Sequence, residues 1–129
     1  MADSIFTYEE ACARLEAVRR ATQAADERLQ QLRAQMKHAA QDSPDAGRIQ
    51  AQIEEAVRRW ADDIMALGAL PKGLWTVDFD SGQGFYYCWT LNEAELAHYH
   101  AYAEGFSSRK PLVNGAPPAG SGAKPPVLN

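Results

Sequence analysis

Glycine and proline are missing from the first 43 residues of this 129-residue chain. That absence leaves a long opening stretch with nothing to break a helix. Cysteine is almost absent. Cys12 and Cys88 are far apart and form no C-x-x-C pattern, which excludes a disulfide framework or a zinc ribbon and leads us to expect two reduced thiols in a cytoplasmic protein. No stretch approaches the ~20 apolar residues that span a bilayer. The opening Met1–Thr7 segment lacks the basic and apolar regions of a secretory signal, so none is expected. An excess of basic charge is also lacking: the net charge is −4, with 9 Lys and Arg against 12 Asp and Glu up to Leu67, and 4 against 5 beyond it. Neither a nucleic acid nor a membrane is therefore expected as a partner. What is present, 46% apolar and 23% charged residues, is ordinary globular usage in a length suited to one domain.

Thr7-Tyr8-Glu9-Glu10 reads as a capping box, in which the Thr7 hydroxyl takes the Glu10 amide and the Glu10 carboxylate reaches back. A 3-4 spacing then runs through Tyr8, Ala11, Leu15, Val18, Thr22, Ala25, Leu29, Leu32 and Met36. This heptad seam predicts a helix packed along another helix. Ser43-Pro44-Asp45 is a fresh helix start. Ile49, Ile53, Ala56, Val57, Trp60, Ile64 and Leu67 repeat the spacing until Gly68 and Pro71 end it. Folding the chain about residue 42 brings Trp60 opposite Thr22 and Ala25, large against small. A second stripe of small residues, Ala13, Ala17, Ala21 and Ala24, would let a further helix approach.

Leu74–Phe79 and Phe85–Trp89 are aromatic and β-branched runs around Asp80–Gly84, which predicts a β-hairpin. The turn itself lacks the following helix and the lysine of a phosphate loop. Thr90-Leu91-Asn92-Glu93 has the form of a second capping box and predicts a short third helix to about Ala103. The expected fold is mainly α (α+β): a long antiparallel two-helix coiled-coil hairpin with a C-terminal β-hairpin and a short third helix. Residues 1–112 would form the domain, and 113–129 a Pro/Gly/Ala-rich extended tail.

Phe6–Ala11 ahead of the heptad helix, Val77-Asp78-Phe79, Tyr87-Cys88-Trp89, Tyr99-His100 and Gly105-Phe106-Ser107-Ser108-Arg109-Lys110-Pro111-Leu112 occur in an ordered string. In this string the chain resembles the small bacterial domain of unknown function numbered 2203, over about Phe6 to Leu112. Ala101 and Ala103 stand where that family's pattern has acidic residues. The resemblance implies a fold and a set of motif positions, and no activity.

Chemistry-bearing residues concentrate in the C-terminal third. His98-Tyr99-His100 could grip one metal ion from a strand, where alternate residues share a face. On the predicted helix the two imidazoles point apart, and His100 instead shares a face with Glu104. A low-specificity metal set of Cys88, His100 and Glu104 follows, with a transition metal as the implied cofactor. The plainer reading of Cys88 is a small core residue. Trp89, His98, Tyr99, His100, Tyr102, Glu104, Phe106 and Arg109 form the wider candidate binding set. Their aromatic rings suit a protein interface or a planar ligand, and Arg109 suits a carboxylate or phosphate.

The leading expectation is a non-catalytic scaffold or accessory subunit that presents the helical hairpin, aromatic head and tail to a protein partner or to a second copy. The alternative is a small metal- or cofactor-binding accessory protein using the Cys88, His98, His100, Glu104 and Arg109 region. No acid–base constellation supports an enzyme.

Overall fold

A computed structural model describes residues 4–118 of the chain. Helix α1 spans Tyr8–His38, and its capping box closes as the sequence requires: Glu10 N donates to Thr7 Oγ1 at 3.1 Å, and Thr7 N donates to Glu10 Oε1 at 2.8 Å. At 1.5 Å per residue α1 is about 45–50 Å long. Helix α2 spans Pro44–Ala66, with Ser43 Oγ accepting from Ala46 N at 3.1 Å. Gly68 takes a left-handed φ of 89° just beyond it. A side chain there would meet Ser4 Oγ at 2.8 Å, so the close approach of the N-terminal segment also demands glycine.

The two helices run back along one another. Trp60 Nε1 donates to Thr22 Oγ1 at 2.9 Å, and the Thr22 hydroxyl donates to Val18 O at 2.7 Å. The one polar residue in the α1 seam is thus the acceptor for the indole it faces. Trp60 also meets the Trp75 ring edge to face at 5.0 Å, and Trp75 Nε1 donates to Asp26 at 2.9 Å.

Five antiparallel strands follow, in spatial order β1-β2-β3-β4-β5: Leu70–Gly73, Thr76–Asp80, Phe85–Thr90, His98–Ala101 and Lys110–Pro111. The predicted hairpin is β2–β3, with Asp78 opposite Cys88 and Phe79 opposite Tyr87. Alternation splits the sheet into two faces. Val77, Phe79, Phe85, Tyr87, Trp89 and Tyr99 pack with Phe6, Ala11, Leu15, Val18, Trp60 and Ile64 in one buried cluster. Asp78, Asp80, Tyr86, Cys88, His98 and His100 occupy the opposite face, as the register requires.

The short third helix is not there. Residues 98–101 are strand β4, and among the described residues only one turn of 3-10 helix follows, at Phe106–Ser108. The Glu93 carboxylate does reach back to Thr90 N at 2.9 Å, but it closes a turn. The chain then stays extended because the free edge of β3 needs a partner. Strand pairing also sends Tyr99 into the core while His98 and His100 face away. Strands β1 and β5 add two edges that the sequence reading left as connections.

At the end of the described chain Val113 bridges Ala116 through a turn with Asn114 and Gly115 at positive φ. The rest of the expected extended tail, beyond residue 118, lies outside the described residues. Among the described residues no helix is long and apolar enough to cross a membrane.

Candidate metal centre

The face of the sheet turned away from the helices is polar, yet its middle is buried. Asp78 on β2, Cys88 on β3 and His100 on β4 are 1%, 0% and 3% exposed. Each contributes one potential ligand atom, and the three atoms lie within 4.8 Å of one another. Strand order explains the meeting. Asp78 and His100 sit two strands apart, and their side chains meet across β3 at 3.0 Å, Oδ2 to Nε2. The small Cys88 thiol beneath leaves room for them.

Hydrogen-bond chemistry makes this pair unusual. His100 Nδ1 lies 2.9 Å from Ala101 O, and a carbonyl only accepts, so Nδ1 carries the proton. A neutral His100 then turns the Nε2 lone pair toward a carboxylate oxygen, acceptor against acceptor. One positive charge must lie between them, a shared proton or a metal ion. Asp78 Oδ1 is buried as well and has no hydrogen-bond partner. Histidine that ligates through one nitrogen while its other N–H is held by a carbonyl is the usual outer-sphere arrangement of a metal site. The residues therefore fit a metal: an imidazole nitrogen already oriented, a carboxylate with an unused oxygen, and a thiol. Burial pushes the Cys88 thiol up to about 12, helped by the Asp78 charge and by a hydrogen bond to that carboxylate, and opposed by Arg109. Without a cation Cys88 is thus a protonated thiol with no solvent access, which argues against a free nucleophile.

Arg109 closes one side of the centre. Its guanidinium binds Glu93 bidentately, Nη1 to Oε1 at 3.1 Å and Nη2 to Oε2 at 2.5 Å, and Nη1 lies 3.9 Å from Cys88 Sγ. The Glu93 hydrogen bonds hold Arg109 above its ordinary pKa. Burial alone would push the Glu93 carboxyl up, but Arg109 and the Thr90 amide overcome it and the net shift is downward. His98 Nδ1 lies 3.5 Å from Glu93 Oε2. Arg109 also covers the Phe106 ring at 4.5 Å.

The sequence-derived set divides between the two faces. Cys88, His98, His100, Tyr102, Phe106 and Arg109 gather around the polar face. Trp89 and Tyr99 belong to the helix-facing core, with Trp89 Nε1 donating to Glu93 O at 2.9 Å. Glu104 is exposed; its carboxylate accepts from Ala101 N at 3.1 Å and is not part of the three-residue cluster. The third cluster member is Asp78, which the sequence reading passed over. Its signal was available: Thr76, Asp78 and Asp80 alternate with Val77 and Phe79, so an acidic residue shares a strand face with Cys88.

Beside Asp78 and His100 opens a cavity of about 370 Å³, lined also by Lys72, Tyr86, Tyr102 and Phe106. A larger groove of about 650 Å³ lies between the helices, where Ala21, Ala24, Ala25 and Ala51 meet Trp60.

No curated protein and no solved structure matches this chain. Residues 4–112 match the family described as Uncharacterized conserved protein (DUF2203). That span contains every residue of the polar face described above, and the chain belongs to this family.

Proposed function

We propose that the protein binds a divalent transition metal, of the zinc class, through Asp78, Cys88 and His100. The observation that carries this reading is the convergence of three buried ligand atoms, from Asp78, Cys88 and His100, within 4.8 Å of one another, with His100 Nε2 3.0 Å from Asp78 Oδ2. Mixed nitrogen, sulfur and oxygen donors suit zinc, cobalt or ferrous iron better than magnesium or calcium. Three protein ligands beside a cavity also leave a coordination position for an outside molecule, the pattern of reactive rather than structural zinc sites. A metal bound there would polarise whatever enters from the cavity. The cytoplasm suits this reading, since Cys88 must stay reduced to ligate.

The test is calorimetric titration of zinc into metal-free protein. One ion per chain is expected. Cys88→Ser and His100→Ala should each weaken binding by more than about a hundredfold, the upper size of losses from outer-sphere partners alone. Cys12→Ser should leave binding unchanged. Equal binding by all of these proteins would mean the site is elsewhere, and no binding by wild type would end the metal reading.

A second reading, a scaffold, is favoured by the groove between α1 and α2. Its alanine floor and its rim of Arg28, Arg48, Arg59, Glu55 and Asp63 would let a partner helix approach closely between fixed charges. In this reading the helices form a coiled-coil hairpin offered, with the aromatic head and tail, to a protein or a second copy. Native mass spectrometry of protein from its own host tests it. An assembly that Ala24→Gln dissolves supports the scaffold, and a bare monomer refutes it.

A further inference from the structure

Arg109 is held more firmly than a surface ion pair requires. Strand β5 sets Pro111 opposite His98 and Lys110 opposite Tyr99, so alternation places Arg109 on the polar face, with His98 and His100. There its side chain is 11% exposed. Glu93 accepts from both of its terminal nitrogens, and the Phe106 ring centroid lies 4.5 Å from the guanidinium carbon. Glu93 is itself fixed, since Thr90 N donates to its Oε1 at 2.9 Å. The guanidinium is thus clamped in one orientation, with Nη1 3.9 Å from Cys88 Sγ.

Net charge is not what this arm brings to the centre, because Glu93 offsets Arg109. It brings a directed N–H. Each terminal nitrogen of a guanidinium carries two hydrogens. Nη1 gives one to Glu93 Oε1 and has a second for the sulfur. A thiol is a weak acceptor, so a clamped arginine beside it gains little while Cys88 keeps its proton. A metal-bound thiolate has lost that proton, and its remaining lone pairs accept strongly from a charged donor. Hydrogen bonds to ligand sulfur tune the metal centres that carry them. Lysine does not match this place, since one ammonium on a flexible stem lacks the planar fork that binds both carboxylate oxygens and still reaches the sulfur.

We propose that Arg109, oriented by Glu93, is a positioning residue that donates an N–H to the metal-bound Cys88 thiolate and draws electron density off the sulfur. The metal is then a stronger Lewis acid toward whatever enters from the cavity. This inference rests on the metal reading above and names the residue that tunes the site.

The experiment uses the full chain loaded with cobalt(II), whose near-ultraviolet sulfur-to-cobalt charge-transfer band reports the electron density on the thiolate. Arg109→Met should move the band to longer wavelength, because a thiolate with no N–H donor gives up an electron more readily. It should also weaken cobalt binding by about tenfold, the lower size of outer-sphere losses. Arg109→Lys keeps the charge and should fold as the wild type does, yet its band should move as far as that of Arg109→Met. Should Arg109→Met hold no cobalt, the lysine variant decides by the same band. A band that stays in place overturns the proposal and leaves Arg109 a structural tie to Glu93. A band that moves in Arg109→Met and returns in Arg109→Lys also overturns it, since charge alone would then be acting. In both cases the metal reading stands. Failure of cobalt to bind the wild type refutes both.

Discussion

The two faces of the sheet bury their centres by opposite chemistry. Toward the helices, Phe79, Tyr87, Trp89 and Tyr99 pack among Leu15, Val18, Trp60 and Ile64, and the polar atoms carried inside are matched. Thr22 accepts from Trp60, and Trp89 donates to a carbonyl. On the other face Asp78, Cys88 and His100 are as deeply buried, yet they bring a carboxylate, a thiol and an imidazole together, with Asp78 Oδ2 3.0 Å from His100 Nε2 and Asp78 Oδ1 without a hydrogen-bond partner. Apolar burial stabilises the first face at roughly 25 cal/mol per Å². Buried charge on the second works against folding unless a cation resolves it. A chain that packs apolar groups on one face and buries ionisable groups on the other makes the second the face on which to test for function.

The largest expected effect lies on the apolar face. Trp60→Ala removes a side chain that is 3% exposed and should cost about 3–5 kcal/mol in urea unfolding. A loss below one kcal/mol would mean that the helix pairing is not what holds the core. The polar face should respond in the opposite way. Zinc at a hundredfold excess over its Kd should stabilise the wild type by about 2.7 kcal/mol. Without metal, the joint replacement Asp78→Val with His100→Leu should leave the protein about 1–3 kcal/mol more stable, because it removes buried charge with no replacement defect. That variant should gain nothing from zinc. If it is strongly destabilised instead, the pair is a structural tie and the contrast between the faces disappears.

The apolar face was also the legible one. Helix caps at Thr7 and Ser43 and the 3-4 seams are signals that residues give within a few positions of one another, and they need no knowledge of the rest of the chain. The segment after Thr90 carried an equally clear local signal, and the Glu93 back-bond it announced does form. What decides its conformation is the open edge of β3, more than ten residues from the centre of β4 in pairings such as Tyr86 with His100. Local spacing could not show that edge. The mistake carried forward into chemistry: on a helix His100 pairs with Glu104, whereas on a strand it reaches over Cys88 to Asp78. The family pattern pointed at Val77-Asp78-Phe79 and Tyr87-Cys88-Trp89 without saying that they lie opposite one another.

The two cysteines give a cheaper probe of the same contrast. Cys12 is exposed on α1 and Cys88 is buried, with its thiol pushed up to about 12. Near pH 8 a disulfide reagent should titrate one thiol per folded chain quickly, and the second only once denaturant is added. Two fast thiols would show that the polar face is open to solvent, and its buried acceptors would then need no metal.

The smallest effect concerns the wall of the centre. Glu93 and Arg109 are 21% and 11% exposed in their side chains and bind bidentately. Glu93→Gln should cost about 1–2 kcal/mol near neutral pH, the range of a hydrogen bond to a charged group. The pH dependence distinguishes a lost ion pair from a packing defect. Despite the upward push of burial, Arg109 and the Thr90 amide hold the folded Glu93 pKa below its ordinary 4.5. The unfolded chain therefore takes up the proton first as pH falls. The Glu93 contribution is fully present above its unfolded pKa and is lost as pH falls through the lower folded value. Unfolding measured from pH 7 down to pH 3 should thus show wild type and Glu93→Gln converging at the acid end. If the gap stays constant across that range, the charge of Glu93 contributes nothing, and the polar face is held by shape alone.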